Sequence, residues 1–421
     1  MSLISGTLAA VVAPKLGALS DRYGRTRMLV IVNTGMIINE LITIVAATFP
    51  RSVSVWWILV GAIFDGAGGS FNAAMTLSHS YASDCTPYNK RNVVFGYFHG
   101  CLYTGIAAGP VIAGYVIKVT GDVITMFYLA AGCHLVFALM LLFVIPESVP
   151  ASRQRVAREK HLETQTIRPS LPILSQLRVL NIFEPLKIVY GPDAPATVRR
   201  NLILLASTDT IVFGVGMGAQ TVVLLYSNYV YGWDTWEQSK FTSIVNSCKV
   251  SYLLVAIPMI THWYRNRQAK SRPLQPLSDP DSPHGTDNFE LAVIRVAIFA
   301  DIVGFLGYGI APTGDLFTLA GAIASIGGSA SPTMQAALTK HVPKENVGQL
   351  LGAMGLLHAL GRAIGPLVFT GIYAATVGVF PQAYFVVLAA CFGLAWTVSW
   401  FVKPGGECFL TYRHKMLSLM S

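Results

Sequence analysis

The sequence predicts an all-α polytopic membrane protein, a bundle of about eleven spanning helices arranged as two related halves. Three observations lead there. Of the 421 residues, 53% are hydrophobic and only 12% charged, whereas a soluble domain carries roughly twice that charged share. Apolar runs of about 20 residues, the length that crosses a bilayer, follow one another along the chain. Finally, a pattern of glycines and prolines recurs. Pro87, Gly96, Gly105, Gly109 and Pro110 return as Pro343, Gly352, Gly361, Gly365 and Pro366, each pair 256 residues apart. Gly68-Gly69-Ser70 returns as Gly327-Gly328-Ser329 with a short slip. Such a parallel repeat means two halves built on one plan.

Taken in order, the expected spans are 3–19, 28–49, 53–81, 93–119 and 123–145, then 202–226, 241–263, 291–311, 316–338, 348–377 and 383–401. Domain organisation follows. Residues 1–146 form a first half of five spans, 147–200 a central loop, 201–402 a second half of six spans, and 403–421 a tail. Lys and Arg set the orientation. Arg22, Arg25 and Arg27, Lys90 and Arg91, the central loop, Arg265 to Arg272, and Lys340 with Lys344 all fall on one side. That side is read as cytoplasmic, together with the tail. In the central loop, Leu177, Leu180 and Phe183 recur every three residues up to Pro185. This piece, 175–184, either lies along the membrane surface or belongs to an unstructured linker. The loop 265–288, with Pro273, Pro276, Pro280 and Pro283, reads as a mobile connection.

Several function classes drop out. The net charge of +9 is strung between apolar helices rather than gathered on one face, so it reports topology and not nucleic-acid binding. The six cysteines are scattered, with no metal spacing and no disulfide framework. No G-x-x-x-x-G-K-(S/T) loop marks an ATP site, and neither cofactor nor metal is expected. No basic n-region precedes the first apolar run, so no cleavable signal peptide is read.

The stretch between the first two spans is Gly17-Ala18-Leu19-Ser20-Asp21-Arg22-Tyr23-Gly24-Arg25-Thr26-Arg27. It resembles the loop between the second and third helices of major facilitator superfamily transporters, whose form is G-x-L-(S/A)-D-R-x-G-R-(K/R/T)-(R/K). Ser80-Tyr81-Ala82-Ser83-Asp84-Cys85-Thr86 with Arg91 resembles the helix 4–5 loop of the tetracycline-resistance and proton-coupled folate transporter groups. There the aspartate pairs with a motif arginine, which implies that Asp84 meets Arg22 or Arg25. Asp21 is further expected to stabilise the outward-open state by facing the positive N-terminal end of the helix near Gly348. Gly105 to Gly114, as G-x-x-x-G-P-x-x-A-G, resembles the signature of drug:proton antiporters. Its partial return at Gly361, Gly365 and Pro366 suggests a helix-packing device, with Gly105, Gly109, Pro110 and Gly114 as the first copy. One departure stands: many proton antiporters carry an arginine in helix 4, where this chain has Gly61-Ala62.

Polar groups inside spans are costly and therefore candidates for function. Asp65, Asn72 and Thr76 have the spacing of one helical face, as do Asp209 and Gln220. Read from a span starting at 202, Asp209 also sits near a helix N-terminus, where the dipole favours a carboxylate. The resemblance implies a polar cavity near Asp65, Asn72, Asp209, Gln220 and Gln335. Glu40 shares a face with Asn33. Lys249 would bind an anionic solute or neutralise Asp65. Arg362 shares a face with His358, and Asp301 reads as a structural partner.

The expected function is secondary transport of a small organic solute by alternating access, coupled to protons, by a monomer in the lipid bilayer. No choice is made between the plasma membrane and a vacuolar or lysosomal one. The first half is one span short of the second, and by the repeat the absent element is the family's first helix. The alternative expectation, which the missing span motivates, is a truncated non-transporting fragment or a regulatory isoform of such a transporter.

Overall fold

The computed structural model describes residues 2–166, 186–190, 195–271 and 285–405. The amphipathic piece at 175–184 and the prolines of the 265–288 loop lie outside the described residues. Among the described residues the architecture is helical, without strands. The first helices are α1 (Ser2–Tyr23), α2 (Arg25–Thr48), α3 (Trp57–Ala67), α4 (Ser70–Cys85), α5 (Arg91–Thr120) and α6 (Ile124–Phe143). Then come α7 (Ala151–Thr166), α8 (Lys187–Tyr190), α9 (Ala196–Tyr231), α10 (Thr235–Ser251) and α11 (Ile257–Ser271). The last are α12 (Asn288–Ile310), α13 (Gly314–Ala324), α14 (Ala330–Thr339), α15 (Val347–Thr376) and α16 (Ala383–Ser399). Seven helical stretches among them are long and apolar enough to cross a membrane.

Three expected spans are interrupted rather than continuous. The span expected at 53–81 breaks between α3 and α4. Gly69 takes φ +88° and Ser70 φ +54° there, a left-handed excursion that glycine tolerates and that ends helical register. The span at 316–338 passes through a 3₁₀ segment, Ser325–Ser329, between α13 and α14. The repeat of Gly68-Gly69-Ser70 and Gly327-Gly328-Ser329 is thus a repeat of helix breaks. The span at 241–263 carries a π-helical turn, Tyr252–Ala256.

Two compact units form. The first holds Met1–Cys85, Tyr115–Pro192 and Val342–Ala363. Its core joins Ala13 and Leu16 of α1, Met28, Leu29 and Val32 of α2, Ala73 and Leu77 of α4, and Leu141 of α6. α1 meets α15 at bare backbone: a methyl on Gly17 would lie 2.7 Å from the Gly348 carbonyl and 3.1 Å from the Gly352 Cα. The second unit holds Thr86–Gly114, Asp193–His341 and Ile364–Ser421. Aromatic rings fill it. Tyr308 lies 4.3 Å from Phe317, Tyr226 4.8 Å from Phe385, and Phe305 stacks on Phe392 at 5.2 Å, each between centroids.

The glycine signature behaves differently in its two copies. A methyl at Gly105, Gly109 or Gly114 would meet nothing within 4 Å among the described residues. In the second copy, a methyl on Gly365 would lie 2.5 Å from the Gly214 carbonyl. The short side chain matters where a neighbouring backbone arrives, and among the described residues it arrives at Gly365. Both α5 and α15 remain helical through Pro110 and Pro366.

Candidate functional site

The loop from α1 to α2 is built around Arg25, the first residue of α2 and fully buried. A cation at a helix N-terminus opposes the helix dipole. Glu147, just beyond α6, supplies the missing anion. Its Oε1 accepts from the Arg25 backbone N–H at 2.8 Å, and its Oε2 accepts from the Thr26 N–H at 3.1 Å and hydroxyl at 2.7 Å. Gly24, at φ +101°, leaves room for this carboxylate. Burial would lift the Glu147 carboxyl, but the Thr26 hydroxyl and the backbone N–H groups of Arg25, Val149 and Thr26 hold it below the usual range.

The Arg25 guanidinium joins three partners. Its Nε donates to Asp84 Oδ2 at 2.9 Å, its Nη2 to Asp21 Oδ1 at 2.5 Å, and its Nη1 to the Ser20 hydroxyl. Of the two arginines expected to meet Asp84, Arg25 is the one that does. Arg153 of α7 donates to Asp84 Oδ1 at 3.0 Å and to the Lys344 carbonyl at 2.5 Å. The Asp21 carboxylate lies against the first turn of α15, where a methyl on Gly348 would stand 2.6 Å from either oxygen. Burial pushes the Asp21 carboxyl up to about 6, with Arg25 pulling the other way. Arg22 is half-buried and feels the Asp21 carboxylate from a distance, and Arg27 is exposed.

Deeper in the first unit, Asp65 accepts from the Ser70 hydroxyl at 2.9 Å, across the helix break. Ser5, Arg362 and His134 are the other neighbours acting on it. His134 and Asp65 both act on Glu40. Asn33 Nδ2 donates to the His134 carbonyl at 2.8 Å, and the Asn33 Oδ1 lies 3.0 Å from His134 Nδ1. Arg362 stands over the Phe71 ring, 5.6 Å from its centroid. The structure thus gathers Asp65, Glu40, Arg362 and His134. Asn72 and Thr76 are buried on α4, but the break at Gly69 means that one helical face does not carry Asp65 into register with them.

In the second unit, Lys249 stands 4.8 Å from the Tyr103 ring centroid, and the carboxylate it acts on is Asp301 of α12. Lys249, expected to bind an anionic solute or neutralise Asp65, thus acts on a carboxylate of its own unit. Asp301 is buried against Gly327 in the 3₁₀ break. Asp209 is fully buried, and α9 starts at Ala196, about 20 Å before it. The N-terminal dipole reading of Asp209 falls with that boundary. Gln220 lines an open cavity of about 570 Å³ with Asn228 and Gln238. Gln335 is buried on α14 and donates to the Ser331 hydroxyl at 3.1 Å.

Sequence reasoning missed Glu147, Arg153 and a second buried ion pair, Lys340 Nζ to Glu290 Oε1 at 2.7 Å. Lys340 was legible in principle, because it stands 256 residues after Asp84, the offset of the glycine–proline repeat.

The model of the Major Facilitator Superfamily matches residues 1–274. The chain belongs to that superfamily. Its relatives include an MFS-type transporter, avaJ, of Aspergillus versicolor, 31% identical over 95% of this chain and 75% of that protein. The class C tetracycline resistance protein of Escherichia coli is 27% identical over 90% of this chain and 81% of that one. Among solved structures, the human organic anion transporter MFSD10 shares the fold with TM-score 0.69 and 17% identity, covering 94% of this chain and 83% of that one. This facilitator-superfamily chain is thus an integral, multi-pass membrane protein and a secondary transporter rather than an enzyme.

Proposed function

We propose that this superfamily member moves a small organic solute across its membrane in exchange with, or together with, protons, and that Asp65 is the proton-carrying group. The cluster around Asp65 carries the reading: a carboxylate at membrane depth, bonded to Ser70 across a helix break and beside Arg362, His134 and Glu40. A carboxylate set among opposing charges inside a membrane is the kind of group that exchanges a proton as its surroundings change. Tetracycline resistance proteins among the relatives favour a small organic molecule as cargo. The test is uptake of labelled solutes into proteoliposomes under an imposed pH gradient. Asp65→Asn should abolish gradient-driven accumulation and retain exchange down a solute gradient. Full accumulation by that variant would move the coupling group elsewhere, with Asp209 and Glu40 the next to test.

Asp21 serves as the gate in this reading. Its contact with the first turn of α15 favours the state seen here, because a carboxylate there faces the positive end of a helix dipole. Asp21→Asn should shift the population towards the opposite-facing state, read as a change in labelling of single cysteines placed on either side. The same variant has a pH signature. With Asp21 raised from 3.8 to about 6, the native state holds a proton across that window that the unfolded chain releases. Wild-type stability should therefore fall as pH rises from about 4 to about 6, by roughly 2–3 kcal/mol at most. Unfolding midpoints of Asp21→Asn should lack that slope. An identical slope together with unaltered labelling would remove Asp21 from the gate.

A further inference from the structure

We propose that Arg362 is the recognition point for a carboxylate on the transported solute, so that the cargo is an organic monoanion. The inference rests on the transport reading above and names the substrate class of the same cluster. Arg362 is near the middle of the 30-residue helix α15, about 22 Å from its first residue. A guanidinium stays charged at every physiological pH, and at that depth its charge needs an answer. The structure supplies only part of one. The Phe71 ring lies beneath it and Asp65 acts on it from a distance, but no ion pair within 4.0 Å joins Asp65 to Arg362. Asp65 is instead held by the hydroxyl of Ser70.

Among the described residues Arg362 donates no hydrogen bond, and its side chain is exposed. The contrast with Arg25 is direct: that fork is spent on Asp21, Asp84 and Ser20 and is fully buried. Arg295 likewise stacks on Trp400 and donates to the Ser399 carbonyl. A planar fork with its donors free, backed by an aromatic face, matches a carboxylate bidentately. The chemistry also sets an upper limit on the charge of the solute. Asp65 stands in the same cluster and repels a second negative group, which fits a monocarboxylate and disfavours a phosphate ester.

The test uses the full chain, purified in detergent, and thermal stabilisation by 1-naphthoate, benzoate and hexanoate. 1-Naphthylmethylammonium serves as the oppositely charged match to the first. Wild type should be stabilised by carboxylates and not by the ammonium. Arg362→Gln should weaken apparent carboxylate affinity at least tenfold, and Arg362→Lys, which keeps the charge and loses the fork, should fall between. Phe71→Leu provides a second variant that leaves the charge in place and should weaken binding less. Stabilisation by the ammonium in place of the acids, no response to any of the three acids, or undiminished acid binding by Arg362→Gln would each overturn the assignment. Gradient-driven uptake confined to neutral or cationic solutes would overturn it while leaving the transport reading intact. Arg362-dependent acid binding without any gradient-driven uptake would do the reverse.

Discussion

Replacing Arg25 by alanine is expected to cost about 3–5 kcal/mol, enough to leave the first unit poorly folded in mild detergent. The magnitude follows from what the change leaves behind. Asp84 has 2% of its side chain exposed and Asp21 7%, and with Arg25 gone these two buried carboxylates lose the cation between them. Arg153 still reaches Asp84, while Asp21 Oδ2 already lacks a hydrogen-bond partner among the described residues. Arg25→Lys should cost less, about 1–3 kcal/mol, since it keeps a charge and loses the fork that reaches Asp84, Asp21 and Ser20 together. Pairing Arg25→Met with Asp84→Asn should recover part of the loss, because the second change removes the carboxylate that the first leaves uncompensated. Equilibrium unfolding of the purified variants measures each value. A cost below about 1 kcal/mol for Arg25→Ala would mean that water or a neighbouring cation replaces it.

What the sequence made legible depended on how far apart the cooperating residues lie. The Gly17–Arg27 loop was readable because its turn, its charges and its small residues act within one short segment. That Asp84 would meet an arginine of this loop, Arg22 or Arg25, came from family resemblance, since the 59 residues separating Asp84 from Arg25 leave no periodic trace. Glu147 was invisible for the same reason: it caps α2 from 122 residues away, and nothing local distinguishes it from a loop glutamate. α7 escaped because it has no apolar stripe to betray its period. Its signal lies instead in charged residues three and four apart, such as Arg155, Arg158 and Glu159, just after Pro150. The helix breaks were present in the sequence as glycine pairs, but an apolar run looks the same whether or not it is interrupted. Among intramembrane charges the residue types were found and the pairings were not. Whether Lys249 acts on Asp65 or Asp301 depends on helix neighbours, which one sequence does not disclose.

Lys340→Met is expected to destabilise the second unit by about 3–5 kcal/mol, because it strands Glu290, whose side chain is 1% exposed. Burial pushes the Glu290 carboxyl up, and Lys340 is the main influence holding it down. Without Lys340 the carboxyl stays protonated in the native state to higher pH than in the unfolded chain, whose ordinary value is 4.5. The native variant therefore binds a proton that the unfolded one releases, so its stability should rise as pH falls from neutrality, and the deficit relative to wild type should shrink. Lys340→Met with Glu290→Leu should recover most of the loss at all pH values. The pair also mirrors the first half with its signs reversed. Asp84 ends α4 and answers Arg25 at the head of α2, and Lys340, 256 residues on, follows α14 and answers Glu290 in the first turn of α12. A glutamate at that position suits the helix dipole, whereas an arginine there needs Glu147 to offset it. Exchanging the second pair, Glu290→Arg with Lys340→Asp, should therefore not restore wild-type stability even though an ion pair is kept, because it puts a cation at the positive end of the α12 dipole. It also removes the Glu290 carboxylate that accepts from the Asp287 N–H and sets the new aspartate beside Asp287, which Lys340 pairs with in the wild type. Unfolding of the exchanged variant at wild-type denaturant concentration would show that the two ends are equivalent and that the dipole argument does not decide their sign.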